Sequence, residues 1–454
     1  MKRYDEYIET GYKFLPQLPS GWDLKLGRSC FEENKKKNSD LQERLLLQFK
    51  YGTIIRKASQ EIKKDDETVL AKYTVVEPND IMLNGLNLNY DFVSQRVGIV
   101  EEKGTITSAY LALRCRDLYN PFYANYMLKA LDSQKIFHGM GSGVRLTLGY
   151  PEFSRIQFPV PSCDEQDQIV RYLDWQVYKI NHLIHGYQKQ IKLLDERKRT
   201  QINRVLVSSL NPNVNTTQSK ALWMEETPCH WTQYRVKDIM YEVNERSKEG
   251  KEPHLSMSQK HGLVTDDVDV ERRLLSESYV GAKVCKKDDL VLNRLKAHLG
   301  VFALAPHLGV VSPDYTVLRL RQDRVIPKYA EYLLKCNDCR KELVIRVRGI
   351  VEGFWRLYTQ DLYSIYICIP DIKEQGEILE YIGQLEEKYQ VVKDKLQKEV
   401  LLLKEYRTRL IADVVTGQID VRDVVIPEYT PEEDTEIDTD DIGENAEEVA
   451  EDAE

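Results

Sequence analysis

Four groups of residues in this chain have types and spacings that could support chemistry. Asn120-Pro121-Phe122-Tyr123 has the make-up of a tetrapeptide that holds the target base in adenine methyltransferases, and Phe137-His138-Gly139-Met140-Gly141 that of a methyl-donor loop. In such enzymes the two sit at the ends of different strands of one large parallel sheet. Here Tyr123 and Phe137 are fourteen positions apart, too close for intervening strand and helix units, and Pro121 is explained by the first turn of a helix. Pro313-Asp314 with Asp371-Ile372-Lys373 could assemble a nuclease carboxylate cluster, yet Asp371 falls at the start of a long helical stretch, where an acceptor side chain caps free N–H groups. Cys336-Asn337-Asp338-Cys339 is a CxxC without a second pair, and His182 with His185 is an i, i+3 pair without further ligands. Zinc takes four ligands, or three and a water, so both read as ordinary helix residues. The sequence holds no GxxxxGK[ST] phosphate loop, which excludes an NTP-driven motor of that type in this chain.

With catalysis set aside, the elements that would position such residues become the informative part. Residues 163–210 run without proline and with one glycine, Gly186. Leu173, Val177, Ile180, Ile184, Tyr187, Ile191 and Leu194 recur at alternating steps of three and four, with Val205 in the same register. That spacing predicts a long helix with a narrow apolar seam, which its own helix cannot bury. A shift of 209 positions supplies the partner. Glu165-Gln166 falls on Glu374-Gln375, Ile169 on Ile378, Leu194 on Leu403 and Pro161 on Pro370. Two helices, residues 163–210 and 372–418, are therefore expected to pair, antiparallel or parallel, with the antiparallel coiled coil the arrangement adopted. At about 1.5 Å rise per residue each makes a rod of roughly 65–70 Å.

The duplication extends beyond the helices. Leu18-Pro19-Ser20-Gly21-Trp22 answers Thr227-Pro228-Cys229-His230-Trp231, and the apolar run ending in Asn84 answers the one ending in Asn293, both at 209. Pro121, Tyr123, Ala124 and Tyr126 match Pro327, Tyr329, Ala330 and Tyr332 at 206. The chain reads as α+β, two pseudo-repeated halves of short strands with one or two helices, each followed by its long helix. Trp22 and Trp231 are expected in the core of this shared frame.

Composition sets further bounds. At 454 residues the chain exceeds one usual core, no apolar run is long enough to cross a bilayer, the first residues lack a signal-peptide stretch, and eight irregularly spaced cysteines suit reduced thiols. A cytoplasmic location follows as the expectation. The net charge is −9, but the stretch from Glu428 to Glu454 holds 14 acidic residues and no Lys or Arg, which leaves +5 on residues 1–427. The acidic stretch is expected to be disordered, and the remainder mildly basic.

Taken in order and in duplicate, these features resemble the DNA-specificity subunit of type I restriction-modification systems: the PSGW and PCHW openings, NPNV from Asn211 followed by Trp223, a proline-ended strand before EQxxI in each half, and LIADVVTGQIDVRD from Leu410 to Asp423. The resemblance covers nearly the whole chain. It implies a non-catalytic subunit with two target-recognition domains, residues 1–162 and 211–371 (with 211–226 as linker), joined by helical spacers at 163–210 and 372–418 and followed by a tail at 419–454. It also implies binding to a bipartite double-stranded DNA site and to two methyltransferase subunits, with restriction subunits in the full complex. No cofactor is implied for this chain. S-adenosylmethionine belongs to the methyltransferase subunit and ATP with Mg to the restriction subunit.

On this reading Lys35, Lys36 and Lys37 are candidates for phosphate contact, Asn84, Asn87 and Asn89 for base contact, and Arg145, in the loop of residues 139–145, for a guanine or a phosphate. Asn suits adenine and Arg suits guanine in the major groove. The second half offers Arg272, Arg273, Asn293, Arg294, Lys296, His298 and, in the segment Gly353-Phe354-Trp355-Arg356, Arg356. The plain alternative is a solvated charge for each cation and a turn residue for each Asn. Glu165, Gln166, Ile169, Leu173, Ile180, Tyr187, Leu194, Glu374, Gln375, Ile378 and Leu403 are assigned to the spacer and to subunit docking. A competing reading is a non-enzymatic interaction scaffold, paired protein-binding domains on a coiled coil.

Overall fold

The computed structural model describes residues 2–12, 14–50, 52–57, 67–90, 92, 94–141, 146–224, 226–258, 261–265, 279–349 and 355–430. The segments carrying Arg145, Arg272, Arg273, Gly353 and Phe354, and the acidic stretch beyond Thr430, lie outside the described residues. The fold is α+β, with two compact units, Met1–Tyr187 with the stretch from Glu399, and Gln188–Lys398. Each unit takes part of each long helix.

Within the first unit, four short strands form an antiparallel sheet in the order Phe31–Glu33, Leu111–Cys115, Ile81–Leu83, Val97–Ile99. Within the second, Met240–Val243, Tyr315–Leu320, Leu290–Asn293 and Phe302–Leu304 repeat that order. The turn before the third strand is built alike in both: Asn79 and Asp288 adopt left-handed φ of 73° and 68°, a region that Asn and Asp tolerate better than most residues. One helix covers each sheet, Pro121–Ser133 and Pro327–Lys335, and each begins with proline, whose missing N–H costs nothing in a first turn. Asn120 caps the former by accepting from the Phe122 and Tyr123 N–H groups, so the methyltransferase-like tetrapeptide is a helix start. A strand pair closes each unit, Asp23–Leu26 with Gln157–Val160 and Thr232–Arg235 with Tyr366–Ile369.

The long helices span Cys163–Ser208 and Ile372–Val415. They start alike, Ser162 Oγ accepting from Glu165 N–H and Asp371 Oδ1 from Glu374 N–H. Asp371 is thus a cap and not part of a nuclease cluster. In the first unit Gln168 donates to the Val421 carbonyl and Arg407 to Asn181 Oδ1; in the second, Lys393 meets Asp195 at 2.7 Å and Tyr389 meets Gln201 at 3.2 Å. Partner numbers fall as those of the first helix rise, so the helices are antiparallel in each unit. Ile169, Leu173, Ile180 and Ile184 share one apolar core with Val400, Leu410 and Val414, while Val205 and Leu206 share another with Ile378 and Ile382. No helix among the described residues is long and apolar enough to cross a membrane.

The Asn/Thr/Ser-rich segment expected as a linker carries structure of its own. Thr216–Gln218 pairs with Glu226–Pro228, Ala221 and Met224 are buried, and Trp223 Nε1 donates to the Tyr366 carbonyl. Its counterpart is the opening hairpin, Tyr7–Tyr12 with Leu15–Pro19. Trp22 and Trp231 are both buried in the frame, as expected.

The second long helix stops at Gly417, whose φ is 72° and whose added Cβ would lie 2.5 Å from Pro19 Cγ and 2.6 Å from Pro19 Cδ. Backbone strain and collision act together there. Gly417→Ala is expected to cost about 1–3 kcal/mol of stability, read as a lower denaturant midpoint; an unchanged midpoint would show that the capping geometry is not required.

Candidate nucleic-acid interface

The same turn follows the third sheet strand in each half. Asn84 Oδ1 accepts from Leu86 N–H at 3.1 Å and Asn293 Oδ1 from Leu295 N–H at 3.1 Å. Each turn is tied to a later segment by an equivalent backbone bond, Leu148 N–H to the Gly85 carbonyl at 2.9 Å and Leu357 N–H to the Arg294 carbonyl at 3.1 Å. All four pairs of positions are 209 apart. The structure therefore places Asn84 and Asn293 as turn residues of the shared frame, with the side-chain acceptor already engaged.

Beyond that turn the halves diverge. Asn87, exposed with φ 51°, occupies the position of Lys296, also exposed, and Asn89 that of His298. Asn89 Oδ1 and His298 Nδ1 are both buried without a hydrogen-bond partner. An orphaned buried polar atom costs about 1–3 kcal/mol, and here one recurs at the same scaffold position in each half.

In the second half the structure brings Asn293, Arg294, Lys296, His298 and Arg356 into one neighbourhood. Residues Arg294–Leu299 form a 3-10 turn capped by Asn293. Arg294 Nε donates to the Asp314 carbonyl at 2.8 Å, and the Arg294 and Arg356 guanidinium groups each lie 3.9 Å from Asp314 Oδ1. The backbone of Arg356 pairs with that of Arg348, and Trp355 meets the His298 ring edge to face at 5.1 Å. Burial, with Arg340 nearby, holds His298 below the ordinary imidazole range. In the first half Lys35, Lys36 and Lys37 are exposed on the segment after Phe31–Glu33; Lys35 pairs with Glu33 at 2.8 Å, and Lys37 bridges Thr74 through backbone. They sit apart in sequence and topology from the turn of Asn84, Asn87 and Asn89.

The residues assigned to spacer and docking divide. Gln166, Ile169, Leu173, Ile180, Gln375 and Ile378 are buried within the chain, and Tyr187, Leu194 and Leu403 are partly buried. Glu165 accepts from the Tyr4 hydroxyl at 2.6 Å, and Glu374 from Ser209, His230 and Trp231. These groups hold the chain to itself, which leaves any docking contact to more exposed neighbours. Cys336 Sγ caps its helix by accepting from Cys339 N–H, and burial pushes its thiol up to about 12, unlike a metal-bound thiolate. Among the described residues no group of three or more His, Cys, Asp or Glu is placed to hold a metal ion.

Sequence reading missed a pair of ion forks built on buried aspartates. Arg114 meets Asp80 through Nε at 2.8 Å and Nη2 at 3.0 Å, and Arg319 meets Asp289 at 2.9 and 2.8 Å. The signal was present, since Asp80 and Asp289 are 209 apart and Arg114 and Arg319 are 205 apart.

Two α+β units of one design thus share the long helices. No family model matches the chain. It is 20% identical over 318 residues to the type I restriction enzyme EcoKI specificity subunit of Escherichia coli, an alignment spanning 66% of each protein, just under two thirds of that relative. A solved chain from a study of complex assembly and conformational transition in the type I R-M system superposes with TM-score 0.60 at 13% identity, covering 88% of this chain and 99% of the other. The HsdS subunit from Thermoanaerobacter tengcongensis aligns over 90% of this chain and 100% of its own at 14% identity, with TM-score 0.45. The chain is thus similar in sequence to one type I restriction enzyme specificity subunit and shares its fold with a solved chain from the type I R-M system.

The contact between Trp355 and His298 gives a local reporter. Protonation of His298 is expected to change Trp355 fluorescence with a midpoint below 6.5, because burial favours the neutral ring. Trp355→Phe should abolish that component of the pH titration. A midpoint at or above 6.5 would contradict this burial.

Proposed function

We propose that this chain supplies DNA sequence specificity to a type I restriction-modification complex, each half reading one part of a bipartite duplex site. The observation that carries the reading is the pairing of identical frame with divergent chemistry. At positions 209 apart, bonds from Asn84 and Asn293 build the same turn, while Gly85, Asn87 and Asn89 stand where the other half has Arg294, Lys296 and His298. A shared mount with exchanged side chains suits two readers of different short sequences. The unpartnered Asn89 and His298 atoms are then groups that a bound ligand completes. Arg294 and Arg356 suit phosphate or guanine, and Arg145, Arg272 and Arg273, outside the described residues, are proposed for DNA contact by their charge.

The antiparallel helices serve as spacer between the two readers, and their outer faces carry two methyltransferase subunits, joined in the full assembly by restriction subunits. S-adenosylmethionine would be held by the former and ATP with Mg by the latter. Buried seam residues such as Leu173, Ile180 and Ile378 support a spacer role.

In the assembled complex Arg356→Ala is expected to weaken binding by about 1–3 kcal/mol and to relax only the half-site read by the second unit, as scored by binding-site selection. Loss at both half-sites, or at neither, would remove Arg356 from the interface. Duplex affinity should also fall steeply with rising salt, whereas docking to a protein scaffold partner would fall much less.

The spacer makes a second prediction. Deleting one heptad within residues 179–195, with its match on the facing helix, should change the permitted gap and leave both half-site sequences as they were. Unaltered spacing would overturn the spacer role.

A further inference from the structure

Two cations buried in this chain stand where the other half has an uncharged residue, and each is tied to the segment that its own half would present to DNA. The first is Arg96, 1% exposed. It precedes Val97, which pairs with Leu83, just as Phe302 pairs with Leu292, so the matching residue in the second half is Val301. The backbone makes the same bond at both, Asn84 N–H donating to the Arg96 carbonyl at 2.8 Å and Asn293 N–H to the Val301 carbonyl at 3.2 Å. The side chains differ in kind. Arg96 Nη1 donates to the Asn84 carbonyl at 3.1 Å and to the Leu86 carbonyl at 2.7 Å, while its backbone N–H donates to Asp132 Oδ2 at 2.8 Å. One guanidinium nitrogen thus fixes both sides of the turn that leads to Asn87 and Asn89. A valine side chain has no donor, and the second half closes its turn by itself as a 3-10 turn, Gly300 N–H donating to the Ala297 carbonyl at 2.9 Å.

The second cation is Lys283, 4% exposed. It opens a strand paired with Val311, and the residue that opens the matching strand of the first half, paired with Ile106, is Thr74. Lys283 Nζ donates to the Tyr315 carbonyl at 2.6 Å and lies 3.6 Å from Glu242. Tyr315 follows Asp314, whose carbonyl accepts from Arg294 and whose carboxylate lies beside both Arg294 and Arg356. Burial holds the Lys283 ammonium below its ordinary range, with Glu242 opposing that shift and Arg294 adding to it. Strand register sets Ala109 and Tyr110 at the positions of Asp314 and Tyr315. Lys283, Asp314 and Arg294 therefore form a linked set where the first half has Thr74, Ala109 and Gly85.

Taking a cation out of water is costly, and only well-made polar bonds recover that cost. The frame requires neither cation, since Val301 and Thr74, both buried, fill the same places in the opposite half. What each cation adds is confined to a segment that differs between the halves. We propose that Arg96 and Lys283 are half-specific positioning residues, each setting the base preference at one half-site by fixing carbonyls of the reading segment from inside its unit, without itself touching DNA. This rests on the proposed function.

Binding-site selection from a random duplex pool, with the full-length chain in the complex in which it is isolated, defines the two half-sites and the preference at each. Arg96→Met should reduce the preference at the half-site read by the first unit at least about tenfold, the effect of one mismatched base pair, and leave the other half-site as it was. Lys283→Thr should do the converse, so each variant is the control for the other. Arg96→Gln, whose amide stops short of Nη1, and Lys283→Met, which keeps the stem without the ammonium, carry the same expectations where the first variants fail to fold. The salt slope of binding should stay as in wild type, because no phosphate contact is removed. A loss of stability alone would lower the active fraction and leave the ratio of cognate to mismatched binding unchanged. That result, or relaxation at both half-sites together, would overturn the positioning roles and leave the bipartite reading standing. A salt slope reduced by about one would make the cation a phosphate contact and overturn its positioning role as well. A wild-type complex that selects no sequence would overturn the function itself, and these roles with it.

Discussion

Two buried carboxamides hold the architecture together. Gln166 and Gln375, both with no exposed surface, sit in the first turns of the long helices and use both ends of the side chain. Gln166 Oε1 accepts from Asn120 N–H at 2.7 Å while its Nε2 donates to the Leu118 and Pro161 carbonyls at 3.0 Å. Gln375 repeats this with Ile326 N–H at 2.8 Å and the Arg324 and Pro370 carbonyls at 2.9 Å. Each carboxamide pins a long helix to the segment that leads into a domain helix. Glutamate would lose two donors, and a shorter Asn would not span the gap. An apolar replacement would leave three backbone groups without this partner, one of them buried at a cost of about 1–3 kcal/mol and two partly buried at less.

A second pair of long-range bonds closes each unit on the far end of the other helix. The Tyr123 hydroxyl donates to the Val415 carbonyl at 2.9 Å, and the Tyr329 hydroxyl to the Leu206 carbonyl at 3.5 Å. These carbonyls fall in the last turns, where no intrahelical donor remains. One unit thus satisfies the start of the helix that follows it and the end of the other. In the first unit the chain after Gly417 adds a clasp, with Asp420 N–H donating to the Lys2 carbonyl and Arg422 lying over the Tyr4 ring at 4.8 Å. Burying both helix ends in this way requires the two domain frames to match, which is why their polar contacts are duplicated so closely.

What was legible in the sequence is local or periodic. The seam at steps of three and four, the proline helix starts, the Glu-Gln pair and the cap at Asp371 all follow from neighbours within a turn or two. The Arg–Asp forks escaped because Arg114 reaches back 34 residues to Asp80, and nothing in a strand pattern says which basic residue will turn inward. Residues 211–226 read as a linker from their polar composition; Ala221 and Met224 are buried through tertiary contacts that composition does not show. Asn84 and Asn293 carried an ambiguity intrinsic to asparagine, whose side chain suits a base edge and a turn equally. Only the Leu86 and Leu295 N–H groups decide between them.

The spacing between the repeats argues where change is tolerated. Matching positions are 209 apart at Asn84 and Asn293, 205 apart at Arg114 and Arg319, 206 apart at Pro121 and Pro327, and again 209 apart at Leu148 and Leu357. The first half is therefore four residues longer between the Asn turn and the Arg strand, and the second half recovers one residue before its helix and three after it. The larger changes fall in the loop after the third sheet strand and in the segment before Leu148 or Leu357, the two stretches joined by the Gly85 and Arg294 carbonyl bonds. They cancel by the time the long helices begin, so the buried Gln and the seam return to register. A frame whose ends must match a common partner helix, and whose two linked loops carry the largest changes in length, is under two separate constraints. Packing holds the former, and the latter is free to follow whatever each half must recognise.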